Sequence, residues 1–124
     1  MTRSSARSRA EPARAATGSV RLQVARVALE AALTVDGVIS GSSGPLGLRV
    51  TRSGSERLVG VVCAADASGG YAVALHLVVG VVPLNRLAER IRSRVRARIS
   101  AADLVDELAQ LDIVFEDIVT GEVS

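Results

Sequence analysis

Lysine and tryptophan are absent from this chain, and cysteine and histidine occur once each, as Cys63 and His76. A single cysteine excludes an intramolecular disulfide framework, and one cysteine with one histidine cannot complete a Cys/His zinc site. The aromatics are Tyr71 and Phe115 alone, which leaves little for stacking the bases of a single strand. No run approaches the roughly 20 apolar residues of a spanning helix. What is present is an aliphatic chain of 124 residues, 48% hydrophobic, with 15 basic and 13 acidic residues and a net charge of +2. That length fits one domain, and the apolar fraction argues against disorder over most of it. The composition favours a small domain with an aliphatic core and argues against an elaborate active site.

Residues 1–17 are Arg, Ser and Ala with one Glu and one Pro. They lack the apolar stretch of a secretory signal. Their Arg/Ser-rich composition is shared with organellar transit peptides, but the expectation is a disordered basic tail. Val20, Leu22 and Val24 alternate with Arg21 and Gln23, which predicts a short strand. A helix then carries two apolar stripes. Val24, Val27, Ala28, Ala31 and Val35 form one, and Leu22, Ala25, Leu29, Ala32 and Leu33 the other. A surface helix needs only one, so a second helix or another subunit is expected to cover the remaining stripe. Arg26 and Glu30 lie four apart and are placed to pair. Asp36-Gly37 ends the helix.

A Gly/Ser/Pro loop over residues 40–47 precedes strand signals. Leu46, Leu48 and Val50 alternate, 53–55 reads as a turn, and 58–65 reads as a buried strand. Residues 71–79 make the strongest strand. Tyr71, Val73, Leu75, Leu77, Val79 and, beyond them, Val81 share one face, and the other face carries no acid or arginine, so the strand is expected at the centre of a sheet. Pro83 opens a second helix over 84–99. Its stripe is Leu84, Leu87, Ala88, Ile91, Val95 and Ile99, and Arg86, Arg90, Arg92, Arg94, Arg96 and Arg98 hold the rest, with Glu89. From residue 101 the sign inverts: Asp103, Asp106, Glu107, Asp112, Glu116, Asp117 and Glu122 occur with no base. A short helical turn at 103–109 and a final strand from Leu111 to about Val119 follow. The order β, α, three β, α, β predicts an α+β two-layer sandwich, a mostly antiparallel sheet of about four strands with two helices on one face. It spans residues 18–119, with a flexible C-terminus at 120–124.

This order resembles the alkaline shock protein family of bacteria, also described as envelope stress response proteins. Gly18-Ser19-Val20-Arg21-Leu22 is similar to the family's opening. Val27, Ala28 and Ala31 with Asp36-Gly37-Val38 look like its first helix and stop. Residues 71–79 with His76 look like its long strand, 84–99 like its second helix, and 111–118 like its closing strand. The chain departs from the family's turn before the second helix, where Val81-Val82-Pro83-Leu84 stands, and from its link before the last strand, which is replaced by the acidic stretch 101–110. The resemblance implies a non-enzymatic cytoplasmic protein that self-associates as a homo-oligomer. It also implies attachment at the inner face of the cell membrane through a separate anchor protein. No cofactor, metal or catalytic residue carries over from it.

Among the sharper readings, His76 is expected to be a partly buried structural residue with no catalytic partner, and Cys63 an inert core thiol. Asp112 and Glu116 are expected on the solvent face of an edge strand. Gly41-Ser42-Ser43-Gly44 matches the Gly-x-x-Gly loop of KH domains, although such loops join helices and this one enters a strand. A small nucleic-acid-binding module using the Arg-rich helix and tail is therefore the alternative function, and nucleic acid is the less favoured partner. The favoured docking residues are Arg86, Arg90, Arg92, Arg94, Arg96 and Arg98, with Leu29 and Leu33 supplying apolar contact. The acidic C-terminal stretch is their electrostatic complement, within a chain or between chains.

Overall fold

The computed structural model describes residues 10–44, 46–53 and 56–120. It is an α+β fold of two helices and six strands, α1 Ala10–Leu33, β1 Val38–Gly41, β2 Val50–Ser53, β3 Glu56–Val59, β4 Val61–Ala65, β5 Tyr71–Gly80, α2 Leu84–Ala101 and β6 Leu108–Val119, with a 3-10 turn at Val105–Glu107. The main sheet has four strands, and β2 and β3 form a separate antiparallel pair.

The strand expected at 20–24 is instead helix. Val20 and Val24 are also one helical turn apart, so three alternating residues do not separate the two periods. The alanines before them are the strongest helix formers, and the helix runs back through Gly18 to Ala10. Residues 10–17, expected in the basic tail, are thus the first turns of α1, while 1–9 and 121–124 lie outside the described residues. The expected strand from Leu46 begins only at Val50. The apolar run 58–65 is cut at Gly60 into β3 and β4.

β5 sits at the centre as its apolar faces require. Val73, Leu75, Leu77 and Val79 are at most 1% exposed, and each buried Leu contributes about 1.5–3 kcal/mol before entropy is subtracted. On one side β5 pairs with β6 in parallel from Tyr71↔Leu108 to Gly80↔Val119. Two parallel neighbours need a crossover, and α2 supplies it. The sheet is therefore mixed, antiparallel at β1–β5 and β4–β5 and parallel along its longest pairing. α1 packs on α2 and against β1, β4 and β5, and it also touches β2 and β3. Elements of the same chain thus cover both of its apolar stripes except at Leu33, which stays exposed.

On its other edge, β5 pairs with β1 at 77–79 and with β4 at 71–75. The two strands meet end to end at His76, whose carbonyl accepts from Ser42 N–H (2.8 Å) and whose N–H donates to Gly60 O (2.7 Å). Gly41 and Gly60 make this junction possible. A Cβ on Gly41 would lie 2.2 Å from Val59 O, and Gly60 has φ +97° with Gly41 Cα 2.5 Å from where its Cβ would be. These glycines serve a strand junction, and Gly41 belongs to β1, so the 41–44 motif does not join helices as in a KH domain. Replacing Gly41 by Ala forces backbone apart from backbone. It is expected to cost about 2 kcal/mol or more, read as a fall of at least several degrees in Tm.

Candidate functional site

α2 buries Leu87, Ile91, Val95 and Ile99, each at most 2% exposed. This four-residue row fixes where the arginines stand. Arg86, Arg90, Arg94 and Arg98 precede each buried residue and form one flank, while Arg92 and Arg96 form the other. The chain reverses after Ala102. Leu104 N–H reaches Ile99 O and Asp103 N–H reaches Ser100 O, both at 3.0 Å, with Asp103 at φ +62°. This is a Schellman closure with Asp in the position glycine usually takes.

The arginines that touch the protein do so through oxygens that carry no net charge. Arg94 Nη1 donates to Thr34 Oγ1 at 2.6 Å, Arg90 Nη2 to Asp36 O at 3.4 Å and Arg92 Nη1 to Leu111 O at 2.6 Å. Arg90, Ser93, Arg94 and Ala97 face Thr34 and Asp36 across an open groove of about 510 Å³. Neighbouring arginines one turn apart repel by about 0.2–0.5 kcal/mol per pair, as at Arg86/Arg90, Arg90/Arg94, Arg94/Arg98 and Arg92/Arg96. Among the described residues the carboxylates that meet a basic side chain are Glu56, on Arg26, and Glu116, on His76, so no arginine of α2 is matched by a carboxylate. Apart from Glu116, the acidic stretch is likewise unmatched among the described residues. Asp103, Asp106, Asp112 and Asp117 are exposed.

Of the favoured docking residues, Arg86, Arg90, Arg94, Arg96 and Arg98 are exposed and Arg92 is half-buried against β6. Leu33 is 42% exposed, at the end of α1. Leu29 is a correction: at 7% exposed it belongs to the core, because α1 is packed by both α2 and the β2–β3 pair. Arg26 also differs from expectation. Its partner is Glu56 on β3, bound through both terminal guanidinium nitrogens, Nη1 and Nη2. Glu30, four residues away, contributes only through space. The Arg26 hydrogen bond holds the Glu56 carboxyl below the usual carboxylate range.

His76 has the partner that its sequence neighbourhood did not reveal. Its Nδ1 lies 2.7 Å from Glu116 Oε2, and the two side chains are 9% and 19% exposed. The register of β6 shifts between Leu77↔Phe115 and Val78↔Asp117, which leaves Glu116 as the extra residue of a bulge, a device that re-aims a side chain. A carboxylate in the fourth position from the end of a strand carries no sequence mark of this. Neither the α1–α2 groove nor the depression beside Leu46 includes His76 or Glu116. No cluster of three or more His, Cys, Asp or Glu side chains among the described residues is placed to hold a metal ion. The pair's evident work is to satisfy a buried imidazole. Glu116→Ala is expected to cost about 1–3 kcal/mol in urea unfolding, and Glu116→Gln, which keeps an acceptor, clearly less.

Cys63 is buried, its Sγ 3.7 Å from Arg21 O. Burial pushes the thiol pKa up to about 11, so at pH 8 it stays protonated and unreactive. A thiol reagent at pH 8 is expected to label the native protein at least tenfold more slowly than the urea-unfolded chain, whose thiol titrates near 8.5.

No protein-family model, curated protein or solved structure matches this chain. No helix among the described residues is long and apolar enough to cross a membrane.

Proposed function

We propose that this protein is a non-catalytic assembly and docking module whose arginine flank on α2 receives an acidic surface of a second copy. The reading rests on one observation: among the described residues α2 presents a row of arginines with no carboxylate paired to them, and the acidic segment presents exposed Asp103, Asp106, Asp112 and Asp117 with no arginine paired to them. Each half lacks its complement within the described residues, and a head-to-tail contact between copies supplies both. Exposed charge pairs contribute about 0–1 kcal/mol each. Apolar contact therefore adds to the affinity, and Leu33, beside the groove-lining Thr34, is placed to provide it.

The cellular setting follows the resemblance described above. The module belongs to the envelope-stress type of the alkaline shock proteins, cytoplasmic, homo-oligomeric and held at the inner face of the membrane by an anchor protein. One feature of that resemblance is weakened, because Gly18–Leu22, its opening, lies inside α1. Nucleic acid is the second class of partner that an arginine row suits, and it would show as oligonucleotide affinity falling steeply with salt.

Arg90→Glu with Arg94→Glu is expected to shift the sedimentation profile toward the monomer. Mixing that variant with one carrying Asp112→Arg and Asp117→Arg is expected to restore the larger species. A profile that neither change moves would sink the charge-assisted assembly.

A further inference from the structure

The connection between β1 and β2 carries two leucines that the core does not use. Leu46 is 80% exposed and Leu48 65%. Gly44 and Gly47 take φ +80° and +71°, Gly47 N–H donates to Gly44 O at 3.1 Å, and Arg49 N–H donates to Ser43 O at 2.8 Å. Gly44 N–H also meets Ser42 Oγ at 3.1 Å. Leu46 and Leu48 are therefore presented by a hydrogen-bonded turn, and a leucine exposed to that degree projects from the surface.

The charged side chain beside them is basic, and so is the exposed pair on the hairpin that follows. Arg49 is exposed and lines the same depression as Leu46 and Leu48. Arg52 and Arg57 are exposed and stand directly opposite each other across the β2–β3 pair, an arrangement of like charges that is unfavourable without an anion nearby. Residues 37–55 contain no acid, and the next one, Glu56, is committed to Arg26. Projecting leucines beside Arg49, with the Arg52/Arg57 pair on the hairpin that follows, match an anionic bilayer. The apolar side chains enter the boundary between headgroups and acyl chains, and the arginines meet lipid phosphates. A fluid phase accepts a projecting side chain without a preformed pocket, which a protein partner would have to supply.

We propose that Leu46 and Leu48, with Arg49, Arg52 and Arg57, form a direct contact site for anionic lipid. It is separate from the arginine row of α2 and does not depend on it. The full chain is tested by co-sedimentation with phosphatidylcholine vesicles, with and without phosphatidylglycerol. Binding is expected only to the phosphatidylglycerol vesicles and should weaken with salt. Leu46→Ser with Leu48→Ser, and separately Arg49→Glu with Arg52→Glu, should each lower it about tenfold or more. Arg90→Glu with Arg94→Glu should retain it, which separates this site from the assembly surface. Because the chain has no tryptophan, Leu46→Trp gives a single reporter whose emission should shift to the blue on anionic vesicles. Absence of binding, or binding that survives loss of both leucines, overturns the proposal. So does a leucine-dependent self-association in place of vesicle binding, which would make a second copy the occupant.

Discussion

β5 must satisfy two hydrogen-bonding edges along ten residues, and the rest of the structure follows from how it does so. One edge is taken entirely by β6. The other is divided between β1 and β4, which meet at the backbone of His76. That division requires the chain to leave the sheet after β1 and return at β4, and the β2–β3 pair is the excursion. It also requires Gly41 and Gly60 where two backbones nearly touch. The parallel direction of β6 obliges α2 to cross over the sheet. There α2 packs on α1, with its buried row inward and its arginines on the flanks.

The elements with long, regular periods were legible in the sequence. α2 and β5 stand where their apolar spacing placed them, because enough repeats separate a period of 3.6 from one of 2. The α+β class followed from their order. The strand expected at 20–24 failed for the opposite reason: three alternating residues fit both periods, and the alanines upstream decided for helix. The partnering of β5 with β6 is non-local, and no local pattern encodes parallel against antiparallel. Gly60 inside an apolar run was the available sign that the run is two strands.

The candidate site was legible in part for the same reasons. The arginine surface of α2 is a consequence of its period and was visible. Its division into one row beside the α1 terminus and another beside β6 needed the packing. Leu29 looked like a surface residue on a second stripe, yet α1 is covered on more than one side and buries it. Glu116 looked like a solvated carboxylate until the bulge in β6 brought it to His76. Residues in register with the period are predictable from it, whereas a bulge breaks the period and hides what it places.

The charges complete this picture. Arginines of α2 that touch the protein bind carbonyl and hydroxyl oxygens, which orient a guanidinium without cancelling its charge. Opposite signs remain on different parts of one surface, and the proposed heterologous contact between copies would bring them together. Sedimentation equilibrium of the unaltered full chain across a series of salt concentrations tests this most directly. A mean mass above the monomer at low salt that falls toward the monomer as salt rises is the result expected. A mass that stays constant across the series would contradict it.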